Sequence, residues 1–114
     1  MGLDAYGKIK SPEGEVTEIA YWRKHNALHG WMEKIYRKKG GTKGFNCVPV
    51  ELNEIDLDLL ELVISNGLLP ETKGFFFGGD SRFCEHYKAQ TLEFIRVARE
   101  YLAKGYTVAY DSWW

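Results

Sequence analysis

The run from Asn53 to Gly67 constrains the fold more than any other part of this chain. Ile55, Leu57, Leu59, Leu60, Leu62, Val63 and Ile64 crowd together there, and only Asp58 and Glu61 are clearly polar on one side. At 100° per residue these apolar groups lie nearly all round a helix, which therefore needs cover on most sides. Asn53 is a good N-cap, Asp56 at the third helical position suits the helix dipole, and Ser65-Asn66-Gly67 ends the element. A chain of 114 residues has room for one core. The helix is read as the centre of that core, with half of a dimer interface as the other reading.

The remaining elements follow from alternation, caps and breakers. Leu3, Ala5 and Ile9 alternate with polar or small residues, which predicts a strand over 3–9, and Ser11-Pro12-Glu13-Gly14 is a turn. Thr17 with Glu18 starts a helix expected to run to about Arg37 and stop at Gly40-Gly41. Cys47-Val48-Pro49-Val50-Glu51 reads as extended, and Pro49 makes it an edge strand because proline cannot donate to a ladder. A third helix is expected from about Arg82 to Lys104, with Tyr87, Thr91, Phe94, Ile95, Ala98, Tyr101 and Leu102 as its apolar stripe and Gly105 as its cap. Residues 106–110 supply a further strand. The expected architecture is a single compact α+β domain over residues 1–114, with three helices packed on a small antiparallel sheet of about three strands.

The formal charge of -1 argues against a general nucleic-acid binder, although Arg37-Lys38-Lys39 and Lys43 form a local basic patch. Cys47 and Cys84 stand at unrelated spacing, which makes neither a zinc motif nor a disulfide framework. No apolar run reaches the ~18 residues that cross a bilayer. The first residues lack a basic-then-apolar signal layout, and Tyr6 stands where a myristoylation motif wants Ser or Thr. A cytoplasmic protein without membrane contact is expected.

Candidate chemistry concentrates between Tyr21 and Glu33. If these residues lie on the helix over 17–37, Tyr21, Leu28, Trp31, Met32 and Ile35 form a core face. Trp22, Asn26, His29 and Glu33 then follow one another at steps of four, three and four along a second line, with His25 between the two. An indole, an amide, an imidazole and a carboxylate in one line make a recognition strip, able to stack on a flat ligand and to read its polar edges. Lys24 points towards the core face in an ideal helix. His25 and His29 also share the spacing of the two histidines in H-E-x-x-H, with Glu33 as a third candidate metal ligand. Asn26 replaces the catalytic glutamate of that motif, and an amide cannot serve as general base. Histidine pairs at this spacing arise readily without metal, so no metal and no cofactor is assigned. His25 can equally be a hydrogen-bonded core residue.

Gly74-Phe75-Phe76-Phe77-Gly78-Gly79 adds a second candidate surface. In an extended segment alternate rings face opposite sides, so at least one of the three, taken as Phe76, turns away from the core. Gly78 and Gly79 precede a helix start, where backbone N–H groups can approach an anion, although no Walker-type lysine follows and Asp80 serves more simply as the N-cap. At the other end, Tyr110-Asp111-Ser112-Trp113-Trp114 places two tryptophans where tails are normally polar. At least one should dock on the domain or on a partner.

Met1-Gly2-Leu3-Asp4-x-Tyr6, Tyr21-Trp22-Arg23-Lys24-His25-Asn26-x-x-His29-Gly30-Trp31-Met32, Phe45-Asn46-Cys47-Val48, Leu69-Pro70-x-Thr72-x-Gly74-Phe75-Phe76-Phe77-Gly78 and Tyr110-Asp111-Ser112-Trp113-Trp114 carry a resemblance. Together they resemble a widespread family of small bacteriophage and prophage proteins, over nearly the whole chain. The resemblance implies a setting, the cytoplasm of an infected bacterium, and no catalytic residues. Three functions compete on this footing. The first is a non-enzymatic binder of a nucleotide-like anion, in which Trp22 and Phe76 stack, Asn26 and His29 read polar edges, and Arg23 with Lys24, or the Gly78 and Gly79 amides, meets phosphate. Such a protein could sequester a host defence signal. The second is a protein-interaction module that inhibits a host factor through Trp113, Trp114 and the edge near Pro49, with a homodimer as a variant. The third is a small phosphodiesterase or hydrolase using His25 and His29 with Asp4, Glu33, Asp80 or Asp111.

Overall fold

A computed structural model describes residues 3–23, 25–45, 48–69 and 85–113, without the side chain of Asn26. Among these residues the elements are β1 (Asp4–Lys10), β2 (Val16–Arg23), α1 (Asn26–Lys38), β3 (Val50–Leu52), α2 (Glu54–Ser65), α3 (Glu85–Ala103) and β4 (Thr107–Trp113). The protein is α+β: three described helices lie against one face of an antiparallel sheet in the order β2-β1-β4-β3.

The sheet has four strands rather than about three, because residues 16–23 are a strand and not the first turns of a helix. Val16, Thr17, Ile19, Tyr21 and Trp22 are β-branched or aromatic, types that lose side-chain freedom in a helix and fit a pleated surface. The Ser11–Gly14 turn, with Gly14 at φ 98°, returns the chain antiparallel on β1 and pairs Val16, Thr17, Tyr21 and Trp22 with it, Ile19 being the extra residue where the register shifts. The strand ends at Arg23, and α1 begins at Asn26, with His25 at its N-cap, and closes before Gly40 at φ 95°. Pro49 does precede an edge strand, since β3 pairs only with β4 in the described sheet.

Strand alternation sorts the sheet into two faces. Ala5, Gly7 and Ile9 of β1, Trp22 of β2, Val50 and Leu52 of β3, and Val108, Tyr110 and Ser112 of β4 point at the helices. Gly7 is required there: a Cβ at this position would stand 2.5 Å from Cε1 of Phe94, whose ring lies across the strand. Helix α1 contributes Leu28, Trp31, Met32 and Ile35 to the core, and α3 contributes Phe94, Ile95 and Ala98.

Helix α2 has the expected caps. Asn53 and Asp56 form a reciprocal capping box. At the other end Gly67 and Leu68 donate to the carbonyls of Ile64 and Val63 in a left-handed cap. Its placement is different from the sequence expectation. Leu57, Leu60 and Ile64 are buried, but Ile55, Leu59 and Leu62 face outward, so α2 flanks the core and does not occupy its centre. The guanidinium of Arg99 on α3 holds it in place, donating to both carboxylate oxygens of Glu61 at 3.1 Å and to Asp58 at 2.7 Å.

Candidate functional site

The junction between β2 and α1 places the predicted recognition residues on opposite sides of the sheet. Trp22 lies across from Ala5 and faces the helices, where it is fully buried. Its indole meets the ring of Phe94 edge-on at 5.1 Å, and Nε1 donates to Oγ1 of Thr91 at 3.1 Å. Thr91 in turn donates to the carbonyl of Tyr87 one helical turn earlier, so the indole N–H is tied into the α3 backbone. The neighbouring Arg23 points the other way, to the open side, and pairs with Asp4 at 3.6 Å.

Both α1 histidines are interior. The His25 ring stacks on Tyr87 at 4.5 Å and 9°, while the Tyr87 hydroxyl donates to the carbonyl of Arg23 at 2.6 Å. His29 shares a 3.0 Å hydrogen bond between Nδ1 and the Tyr110 hydroxyl and packs on Phe45. Burial disfavours the imidazolium and lowers both histidines to about 4. The same burial raises the Tyr110 hydroxyl well above its ordinary value. Both rings are therefore neutral near pH 7.

These placements correct the geometry of the sequence-based strip. Trp22, Asn26, His29 and Glu33 do not share a helical line, because the chain changes from strand to helix between the first and the second. Trp22 and His29 are enclosed by core residues, so neither offers a surface to a dissolved ligand. Glu33 pairs with Arg37 on the outside of α1 at 3.4 Å. His25 and His29 engage different elements, α3 and β4, and among the described residues no three His, Cys, Asp or Glu side chains gather to hold a metal. Lys24, Phe76, Gly78, Gly79, Asp80, Cys47, Cys84 and Trp114 lie outside the described residues, as does the side chain of Asn26.

A hollow of about 130 Å³ opens between the β1–β2 hairpin and the end of α3, lined by Ile9, Ser11, Glu15, Thr17, Tyr101 and Tyr106. Small-molecule sites typically have roughly 300–1,000 Å³. This one has room for a few waters rather than for a nucleotide.

Among the described residues, no helix lies on the other face of the sheet. That face carries Asp4, Tyr6, Lys8 and Lys10 from β1, Val16, Glu18, Tyr21 and Arg23 from β2, and Thr107, Ala109, Asp111 and Trp113 from β4. Trp113 is 67 % exposed and lies beside Asp4, with Arg23 on the far side of that carboxylate. Tyr6 and Tyr21 are direct cross-strand partners with ring centroids 5.5 Å apart. The Tyr21 hydroxyl donates to Asp4 at 2.7 Å, a bond to a carboxylate that raises its pKa. Lys8 pairs with Asp111 at 3.2 Å and reaches over the Tyr6 ring. The cations are matched by acids, so the face holds fixed aromatic area without the positive excess that draws phosphate backbones.

Sequence reasoning identified Trp113 but missed Tyr6 and Tyr21. The available signal was the period of two over residues 4–10, in which Asp4, Tyr6, Lys8 and Lys10 share a side. Reading residues 16–23 as a strand would have added Tyr21 and Arg23 to it. No protein-family model matches the chain, and neither a curated protein nor a solved structure is significantly similar to it.

Proposed function

We propose that this chain is a protein-interaction module that engages its partner through the open face of the sheet, with Trp113 as the anchor. The observation that carries the reading is the exposed indole at 113, framed by Tyr6, Tyr21 and Arg23 on a rigid four-stranded support. Tryptophan, tyrosine and arginine dominate the energetics of protein interfaces, because each combines a large contact area with few rotamers or with strong donors. Leaving such an indole in water without a partner forgoes about 1.5–3 kcal/mol of burial. The intrachain ion pairs Lys8–Asp111 and Arg23–Asp4 supply a polar rim already neutralised within the face.

The reading as a binder of nucleotide-like anions has less support, since two of its side chains, Trp22 and His29, are interior. The resemblance to bacteriophage proteins makes a bacterial host protein the proposed class of partner. Capture from bacterial lysate on the immobilised full chain tests the reading. A stoichiometric partner is expected with the native chain, and Trp113→Ala should reduce its retention at least tenfold while leaving the circular dichroism and melting temperature unchanged. Equal retention by the Trp113→Ala chain, or no stoichiometric partner, would overturn it.

A further inference from the structure

A second surface, on the helical side of the molecule, is not used by the sheet face. Helix α2 exposes Ile55 (70 %), Leu59 (41 %) and Leu62 (58 %), and Leu68 just past its cap is 66 % exposed. Residues 55, 59 and 62 follow at steps of four and three, so they form one stripe along the helix axis. Scattered surface leucines are ordinary, but four large aliphatic residues on and beside one helix mark a contact surface. The stripe is rigidly presented: Leu57, Leu60 and Ile64 anchor the opposite face, and Arg99 clamps Asp58 and Glu61.

The charges around the stripe distinguish its occupant. Glu54, Asp56, Asp58 and Glu61 are the only charged residues of α2. Glu51 of β3 is not among them, since it pairs with Ala109 and shares the open side of the sheet. Lys39 neutralises Asp56, and Arg99 divides one positive charge between Asp58 and Glu61. An acidic surplus therefore borders the apolar stripe. A second copy of the chain docked α2 against α2 would set acid against acid, which is repulsive. A partner that buries the stripe and satisfies this border needs apolar residues at the same helical spacing with Lys or Arg beside them.

We propose that the outer face of α2 is a docking site for a basic amphipathic helix of another protein, with Ile55, Leu59 and Leu62 meeting its apolar residues and Glu54 and Asp58 meeting its cations. Helix-on-helix docking of this kind is read through anchors at i, i+3 or i+4, and i+7, which is the spacing that α2 itself displays. The complementary charges speed the encounter and reject acidic helices, while the aliphatic residues hold the complex.

The test uses the full chain and three synthetic 18-residue peptides, followed by amide chemical shifts. One peptide places leucine at i, i+3, i+4 and i+7 with lysine elsewhere. The second scrambles the same composition, and the third replaces lysine by glutamate. The basic amphipathic peptide should shift the amides of Ile55, Leu59, Leu62 and Leu68 and bind at least tenfold more tightly than either control. Ile55→Lys with Leu62→Lys should abolish those shifts, and Glu54→Gln should weaken binding severalfold and reduce its salt dependence.

Equal binding of the acidic peptide, shifts confined to other elements, or no saturable binding would overturn the proposal. Concentration-dependent dimerisation removed by Leu62→Lys would give the face to a second copy instead. Peptide binding seen only after Phe75, Phe76 and Phe77 are replaced by serine would give it to the chain's own residues 70–84. Because the readout lies on α2, its failure leaves the Trp113 experiment unaffected, and the converse also holds.

Discussion

Replacing Thr91 by Val keeps its volume and removes the hydroxyl that accepts from Trp22. The indole N–H would then be a buried donor without an acceptor, a loss of about 1–3 kcal/mol. A lower urea midpoint with an unchanged slope should show it, whereas a midpoint equal to that of the native chain would mean that Trp22 has another acceptor. The buried imidazoles make a second expectation, about pH. His25 and His29 titrate at about 4 in the fold against 6.5 for the ordinary group. Between those values the unfolded chain binds more protons than the folded one, so stability falls as the pH drops through that window and is fully retained above it. Each histidine can remove up to about 3 kcal/mol on this path. Urea midpoints should hold level from pH 7.5 to about 6.5 and decline steadily from there to pH 4.5. A flat profile between pH 7 and 5 would mean that the rings are charged or solvated in the fold.

At the level of elements, the two sides of α2 should respond differently to substitution. Leu60→Ala removes a fully buried side chain and should cost about 2–5 kcal/mol, whereas Leu62→Lys on the outer stripe should stay within about 0.5 kcal/mol of the native chain. Thermal melts of the two variants separate core burial from surface display. Gly7→Ala belongs with the first: its methyl group would meet the Phe94 ring, which is packed against Trp22 and cannot retreat freely, so a loss of about 1–3 kcal/mol is expected.

Much of this architecture was legible from local signals. Asn53 and Gly67 bound α2, Gly105 ended α3, and alternation marked β1. Residues 16–23 were misread because Tyr21, Leu28 and Trp31 also satisfy helical spacing. What decides between strand and helix there is the pairing with β1 across the hairpin, a tertiary contact that overrides local pattern. The candidate strip was broken for the same reason: with residue 22 on a strand there is no helical line, and Trp22 and His29 meet instead around the Tyr110 ring inside the core. Which side of α2 faces water could not be read locally either, because the clamp that orients the helix comes from Arg99, far along the chain.

Across the whole molecule, all described helices cover one side of the sheet and leave the other bare, so the two proposed contact surfaces point in different directions. An adaptor that brings two proteins together needs that arrangement, and the two docking experiments can be combined to test it. Trp113→Ala and Ile55→Lys with Leu62→Lys should each remove one partner and spare the other. The strand order carries one more implication. β4 is the middle rail between β1 and β3, although it is synthesised after both. A nascent chain that has reached only residue 106 can close its hairpin, but β3 has nothing to zip onto and the aromatic rings meant for Tyr110 stay wet. Completion of the sheet is thus deferred to the emergence of residues 107–113, which makes the strand that displays Trp113 also the latch of the fold.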